Sequence, residues 1–141
     1  GTQALVEHGE FSKSSGERAV RKWLQEEPSP TAIIAINDSV ALGAMEALMR
    51  LKRRIPEDIA LAGFDGTDLA GSPVMSLTSV DQHSDRMGRL AVEVLLRQLH
   101  SEVFEPTQVV LPTQLLIRRS TTGSDGGSAA EDQDSRDLRK D

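Results

Sequence analysis

The chain has 141 residues, enough for one domain with a real core and too few for two ordinary ones. Its residues are 38% apolar but only 3% aromatic, which fits aliphatic strands and helices better than an aromatic platform for nucleic acid. A net charge of -6 lacks the basic footprint that neutralises phosphates, and the absence of cysteine removes disulfides, thiolate nucleophiles and cysteine zinc sites together.

Ala4 to Val6 read as a short strand, followed by a turn glycine before Phe11. Ser14 with Glu17 three residues on has capping-box spacing, and Val20, Trp23 and Leu24 recur on one helical face. A helix is therefore expected from about Ser15 to Glu26, stopped by Pro28 and Pro30. "TAIIAI" is a continuous apolar run, the pattern of a strand covered on both faces. The next helix, about Ser39 to Leu51, places Leu42, Met45, Leu48 and Met49 at three- and four-residue steps and ends in a basic cluster suited to the helix dipole. After Pro56, "DIALAGF" supplies a second buried strand, and two parallel strands joined by a helix form a βαβ unit.

Beyond Asp65 the chain reads as a long loop with a short strand at Leu77 to Val80. Met87, Leu90, Ala91, Val94, Leu95 and Leu99 mark an amphipathic helix from about Ser84 to His100. "TQVVLPTQLLIRRS" predicts a last strand bent at Pro112, because proline removes a ladder donor. From Ser124 onward six acids, three bases and almost no apolar residues predict a disordered acidic tail over 124–141.

In an open parallel α/β sheet, ligands bind where the carboxyl ends of strands meet the amino ends of helices. Asn37 and Asp38 fall at that edge after the first buried strand, and Asp65 falls there after the second. An amide that donates and accepts, beside carboxylates that accept, suits a ligand presenting hydroxyls. The plainer reading of Asp38 is a helix N-cap. His8, His83 and His100 are too scattered for a metal-ligand spacing, and the pair Asp65 and Asp68 lacks the ligand series of a calcium loop. No cofactor or resident metal is expected.

The segments "FSKSSGERAVRKWL", "PTAIIAINDSVALGAMEAL", "IPEDIALAGFDGTDLAGSPVMSLTSVDQ", "MGRLAVEVLL" and "LPTQLLIRRSTTG" occur in this order. Together they resemble the C-terminal part of the effector-binding domain of LacI/GalR-family transcriptional repressors. The resemblance implies a type I periplasmic-binding-protein-like, parallel-sheet α/β lobe over residues 1–123, with a crossover segment at about 82–108. It also implies a sensor that closes on a sugar or similar small polar molecule and acts on operator DNA through a separate N-terminal helix-turn-helix. By this likeness Phe11, Asn37, Asp38, Asp65 and Gln82 line the effector site. Leu42, Met45, Met49 and the loop from Ser72 to Met75 lie near the partner of a homodimer; the alternative for the methionines is core packing.

Three departures stand out. The helix-turn-helix, the hinge, most of the N-terminal lobe and the arginine that commonly clamps the effector are not in this chain. Lys52 stands where the family usually has a helix-ending glycine, and Gly66 replaces the usual acid or amide after Asp65. The chain begins with Gly1, so an upstream portion is expected. Residues 1–10 lack the pattern of a signal peptide and no run is long enough for a membrane span, so a cytoplasmic, non-enzymatic sensor is the expected class. The rivals are a periplasmic sugar receptor for transport or chemotaxis and a metal-dependent α/β enzyme using Asp38 and Asp65, for which no phosphate-cradling loop is visible.

Overall fold

The computed structural model describes residues 4–26, 28–100 and 108–124. Its elements run α1 (Lys13–Trp23), β1 (Ala32–Ile34), α2 (Asp38–Arg50), β2 (Ala60–Asp65), α3 (Asp68–Gly71), β3 (Thr78–Asp81), α4 (Ser84–Leu99), β4 (Gln114–Leu116) and α5 (Arg119–Thr122). The four strands form one sheet in the order β1-β2-β3-β4. The first three are parallel, with Ile33 opposite Leu61 and Phe64 opposite Val80, and β4 closes the sheet antiparallel to β3. The three parallel strands are what the alternation of strands and helices predicts, and the antiparallel β4 makes the sheet mixed.

The core lies between one face of the sheet and α2. Ile33, Leu61 and Leu77 point in from the sheet side and meet Ala41, Ala44 and Leu48 of α2; Val20 of α1 joins them. Leu48, Leu61 and Leu77 are completely buried, each contributing about 1.5–3 kcal/mol by leaving water. Helices α1 and α2 approach so closely that a methyl on Gly43 would lie 1.9 Å from the Lys13 carbonyl oxygen, and one on Gly16 2.0 Å from that of Val40. Only glycine permits this contact. Lys13 to Glu46 (2.7 Å) and Arg50 to Glu17 (2.9 Å) bridge the two helices at their exposed margin.

Several expectations are corrected. Residues 4–10 run without regular structure, so Ala4 to Val6 form no strand. Helix α1 starts two residues earlier than predicted, with Ser12 at the N-cap and no side-chain cap; Glu17 faces Arg21 and Arg50 instead of closing a capping box. The cap of α2 is Asn37, whose Oδ1 accepts from the Val40 N–H at 2.8 Å, and Asp38 is the first helical residue. The "TAIIAI" run is covered on one face only: Ile33 is buried, whereas Ile34 is 86% exposed. Among the described residues α5 covers that second face at Thr78, whose hydroxyl bonds Thr121 Oγ1 at 2.7 Å, and leaves Ile34 open. The loop after Asp65 contains the short helix α3, capped by Thr67, and the chain after β4 turns into α5. Both are too short to show a helical period. Polar bonds hold α5 in place: Ser120 Oγ donates to the Leu61 carbonyl at 2.6 Å and accepts from the Thr78 N–H at 2.8 Å.

Lys52 has φ 57°, the left-handed conformation expected of a helix-ending glycine position. The Arg53 N–H donates to the Leu48 carbonyl at 2.9 Å and the Lys52 N–H to that of Met49 at 3.0 Å, which is the Schellman pairing. Helix α4 spans the predicted residues, yet none of them is buried. Of the predicted tail all but residue 124, and of the predicted crossover at about 82–108 residues 101–107, lie outside the described residues.

Candidate functional site

The carboxyl ends of β1, β2 and β3 lie side by side, and each brings one sequence-predicted polar residue to the same edge of the sheet. Asn37 follows β1; Asp65 ends β2; Gln82 follows β3, whose Asp81 pairs in register with Asp65. Since Asn37 spends its oxygen on the helix cap, its amide nitrogen is the part of the side chain left to donate. Gln82 Nε2 donates to Asp65 Oδ1 at 2.9 Å, so the structure brings these two together directly.

Asp65 is held in a costly conformation. Its φ is 111°, a region that favours glycine, and a non-glycine residue kept there costs about 1–3 kcal/mol. Burial, and secondarily the nearby Asp38 carboxylate, raise its pKa above the usual 3.8, partly offset by a hydrogen bond from the Asp38 backbone. The half-buried carboxylate therefore has acceptor capacity left and sits where ionisation is disfavoured, so a donor from outside would be welcome.

Asp38 is placed differently from Asp65. It is only 4% exposed, beneath the edge and inward of it. Its Oδ2 accepts from the Thr67 N–H at 2.8 Å and from Thr67 Oγ1 at 2.9 Å, and its Oδ1 accepts from Ser79 Oγ at 2.6 Å. Ser79 and Thr67 were not singled out in the sequence; nothing in their local pattern marks them, because they meet Asp38 only through the sheet register. Gly63 is the one legible trace, a glycine within a strand, where close approach is a standing reason. A methyl there would lie 2.5 Å from Asp38 Oδ1.

Phe11 is 73% exposed and lines a hollow of about 400 Å³ with Ile34 and Ile36, next to Asn37 but apart from Asp65. A second hollow, about 590 Å³, is lined by Asp65, Thr67, Asp81 and Arg86, and Gln82 also borders a third against the apolar face of α4. The predicted site residues thus share an edge without enclosing one pocket. Of the residues expected at a dimer interface, Met45 and Met75 are buried in this chain's own core, Leu42 is half-buried against it and Met49 is 65% exposed. Among the described residues no group of His, Asp or Glu is arranged to hold a metal ion, and no helix is long and apolar enough to cross a membrane.

An open parallel sheet with polar side chains at its carboxyl edge defines a ligand-binding α/β lobe, and the profile of the periplasmic binding protein-like domain matches residues 2–121. The chain belongs to that family. Within it the chain groups with LacI-type regulators, matching part of their sensor domain. It is 36% identical over 118 residues to the HTH-type transcriptional regulator CelR of Thermobifida fusca, covering 84% of this chain and 35% of that protein. It is 35% identical over 112 residues to the HTH-type transcriptional repressor MelR of Bacillus subtilis, covering 79% and 32%. Among solved structures, a CelR–cellobiose complex superposes with a TM-score of 0.72 at 36% identity, covering 79% of this chain and 34% of that one. A LacI-family regulator from Enterococcus faecalis with bound ribose gives 0.74 at 34% identity, covering 79% and 41%. The chain spans about a third of the length of the curated relatives it matches.

Proposed function

We propose that this chain is the sensing part of a LacI/GalR-type transcriptional regulator, binding a sugar or similar small polar effector at the carboxyl edge of its sheet. The observation that carries the reading is Asp65. A carboxylate kept in a strained backbone conformation, half-buried and hydrogen-bonded to Gln82, costs stability that packing does not explain and a hydroxyl-rich ligand does. Asn37 supplies amide donors from the neighbouring strand end, and Phe11 an apolar wall for the ring face of a sugar. Asp38 acts from beneath. The cellobiose and ribose bound in related structures support a carbohydrate effector.

Operator DNA is reached through residues outside this chain, whose net charge of -6 suits no phosphate-gripping role. The assembly is a cytoplasmic, non-enzymatic homodimer in which Met49, exposed beside Leu42, meets the partner. The coding sequence upstream of Gly1 tests the assignment: an in-frame N-terminal lobe preceded by a helix-turn-helix supports it, and a secretion signal overturns it. Calorimetry on the product of the complete reading frame, with ribose and cellobiose as first probes, then tests the site. Asp65→Ala is expected to cost about 1.5–3 kcal/mol of binding, the worth of a hydrogen bond to a charged group. Asn37→Asp keeps the cap oxygen and deletes the amide donors, so it separates ligand contact from helix capping. Unchanged affinity in the Asp65 variant removes that residue from the site.

A further inference from the structure

The buried Asp38 carboxylate has a task that direct contact with a ligand does not account for. Its three described side-chain hydrogen bonds come from neutral donors on two different elements, Thr67 at the start of α3 and Ser79 in β3. Ser79 Oγ also accepts from the Gly66 N–H at 3.1 Å, and Thr67 Oγ1 also accepts from the Ala70 N–H at 3.3 Å. Both residues that follow Asp65 are therefore held, Thr67 directly by Asp38 and Gly66 through Ser79. Gly66 itself has φ 68°, so two consecutive positive-φ residues form the turn between β2 and α3. The space for the carboxylate exists only because position 63 lacks a side chain.

We propose that Asp38 is a positioning residue: by anchoring Gly66 and Thr67 it holds Asp65 in its positive-φ conformation, with its carboxylate against Gln82. The consequence for effector affinity rests on the functional reading above, whereas the anchoring does not. A residue that held only the fold would loosen the whole core when changed. A residue that positions this turn loosens the turn and leaves the core alone.

Amide hydrogen exchange and ¹H–¹⁵N spectra of the 141-residue chain, without ligand, separate the two. Exchange is expected to accelerate at least tenfold at Gly66 and Thr67 in Asp38→Asn and at Gly66 in Ser79→Ala, while the Leu48 amide in α2 keeps its wild-type rate. The Gln82 side-chain amide resonances are expected to move toward their positions in Asp65→Ala, which has no oxygen to accept from them. Thr67→Ser, which retains the hydroxyl, is expected to match the wild type. Unchanged exchange at Gly66 and Thr67, or equal acceleration at Leu48, overturns the proposal. Should Asp38→Asn fail to fold, Ser79→Ala alone decides, since it removes one hydroxyl at the same node. Ribose and cellobiose calorimetry on the complete reading frame reports separately on the effector reading. Fast turn exchange without sugar binding in any variant supports the anchoring and sinks the sugar effector; sugar binding lost in Asp65→Asn with unaltered exchange in Asp38→Asn does the reverse.

Discussion

Of the four non-glycine residues with positive φ among the described residues, Asp65 and Lys52 carry opposite lessons. Asp65 pays for its position twice, in backbone strain and in a pKa pushed up by burial and by Asp38. Because its folded pKa lies above the unfolded value, the folded state binds that proton more tightly. The stabilisation this brings is complete below the unfolded value and is lost as pH rises through the folded one. At pH 7 the ionised carboxylate is therefore a net cost. Asp65→Asn, which can still accept from Gln82, is expected to melt higher than the wild type at pH 7, with the gap closing by pH 3 when both are scanned by circular dichroism. A gap that widens on acidification contradicts this. Lys52 has no comparable ligand-facing placement: it only completes the Schellman turn after α2. Lys52→Gly is expected to stabilise by up to about 1 kcal/mol in urea denaturation, the cost of a left-handed side chain, with no change in ligand response.

At the scale of elements, the α1/α2 crossing is where a single atom matters most. Alanine is a better helix former than glycine by about 1 kcal/mol, so propensity alone predicts that Gly43→Ala stabilises α2. The clash with the Lys13 carbonyl at 1.9 Å outweighs that gain, because backbone cannot rotate away as a side chain can. Overpacking of this kind costs about 1–3 kcal/mol or more, and a net loss near the upper end is expected from denaturant unfolding. A more stable Gly43→Ala would mean that the helices separate freely. The three long helices were legible from their apolar periods and all four strands from apolar runs, with one further strand expected at Ala4 to Val6 that does not form, and strand order placed Asn37 and Asp65 at one edge. The sequence did not show which of Asn37 and Asp38 caps α2, because both side chains are good caps and the choice depends on Thr67 and Ser79 being in reach of Asp38. Likewise a continuous apolar run such as "TAIIAI" reports that cover is needed, not whether this chain supplies it.

For the molecule as a whole, that missing cover decides stability. Ile34 at 86% and Val110 at 79% exposure lie open to water, and α4 presents Met87, Leu95 and Leu99 without burying any residue. A helix of 16 residues is marginal on its own, since helical stability comes mainly from packing an apolar face. The α1/α2/β1/β2 core and α4 should therefore unfold separately. The 141-residue chain is expected to lose α4 amide protection within the dead time of exchange while Leu48 and Leu61 stay protected, and to finish melting below about 60 °C, the upper part of the mesophilic range. One cooperative transition above about 60 °C, with α4 protected as long as α2, would show that α4 packs well within this chain. On the proposed assignment, a complete reading frame that adds an N-terminal lobe is expected to restore α4 protection before it raises the melting point of the core. The order follows from where the apolar surface lies: α4 has the most to gain from a partner, and Leu48 is already dry.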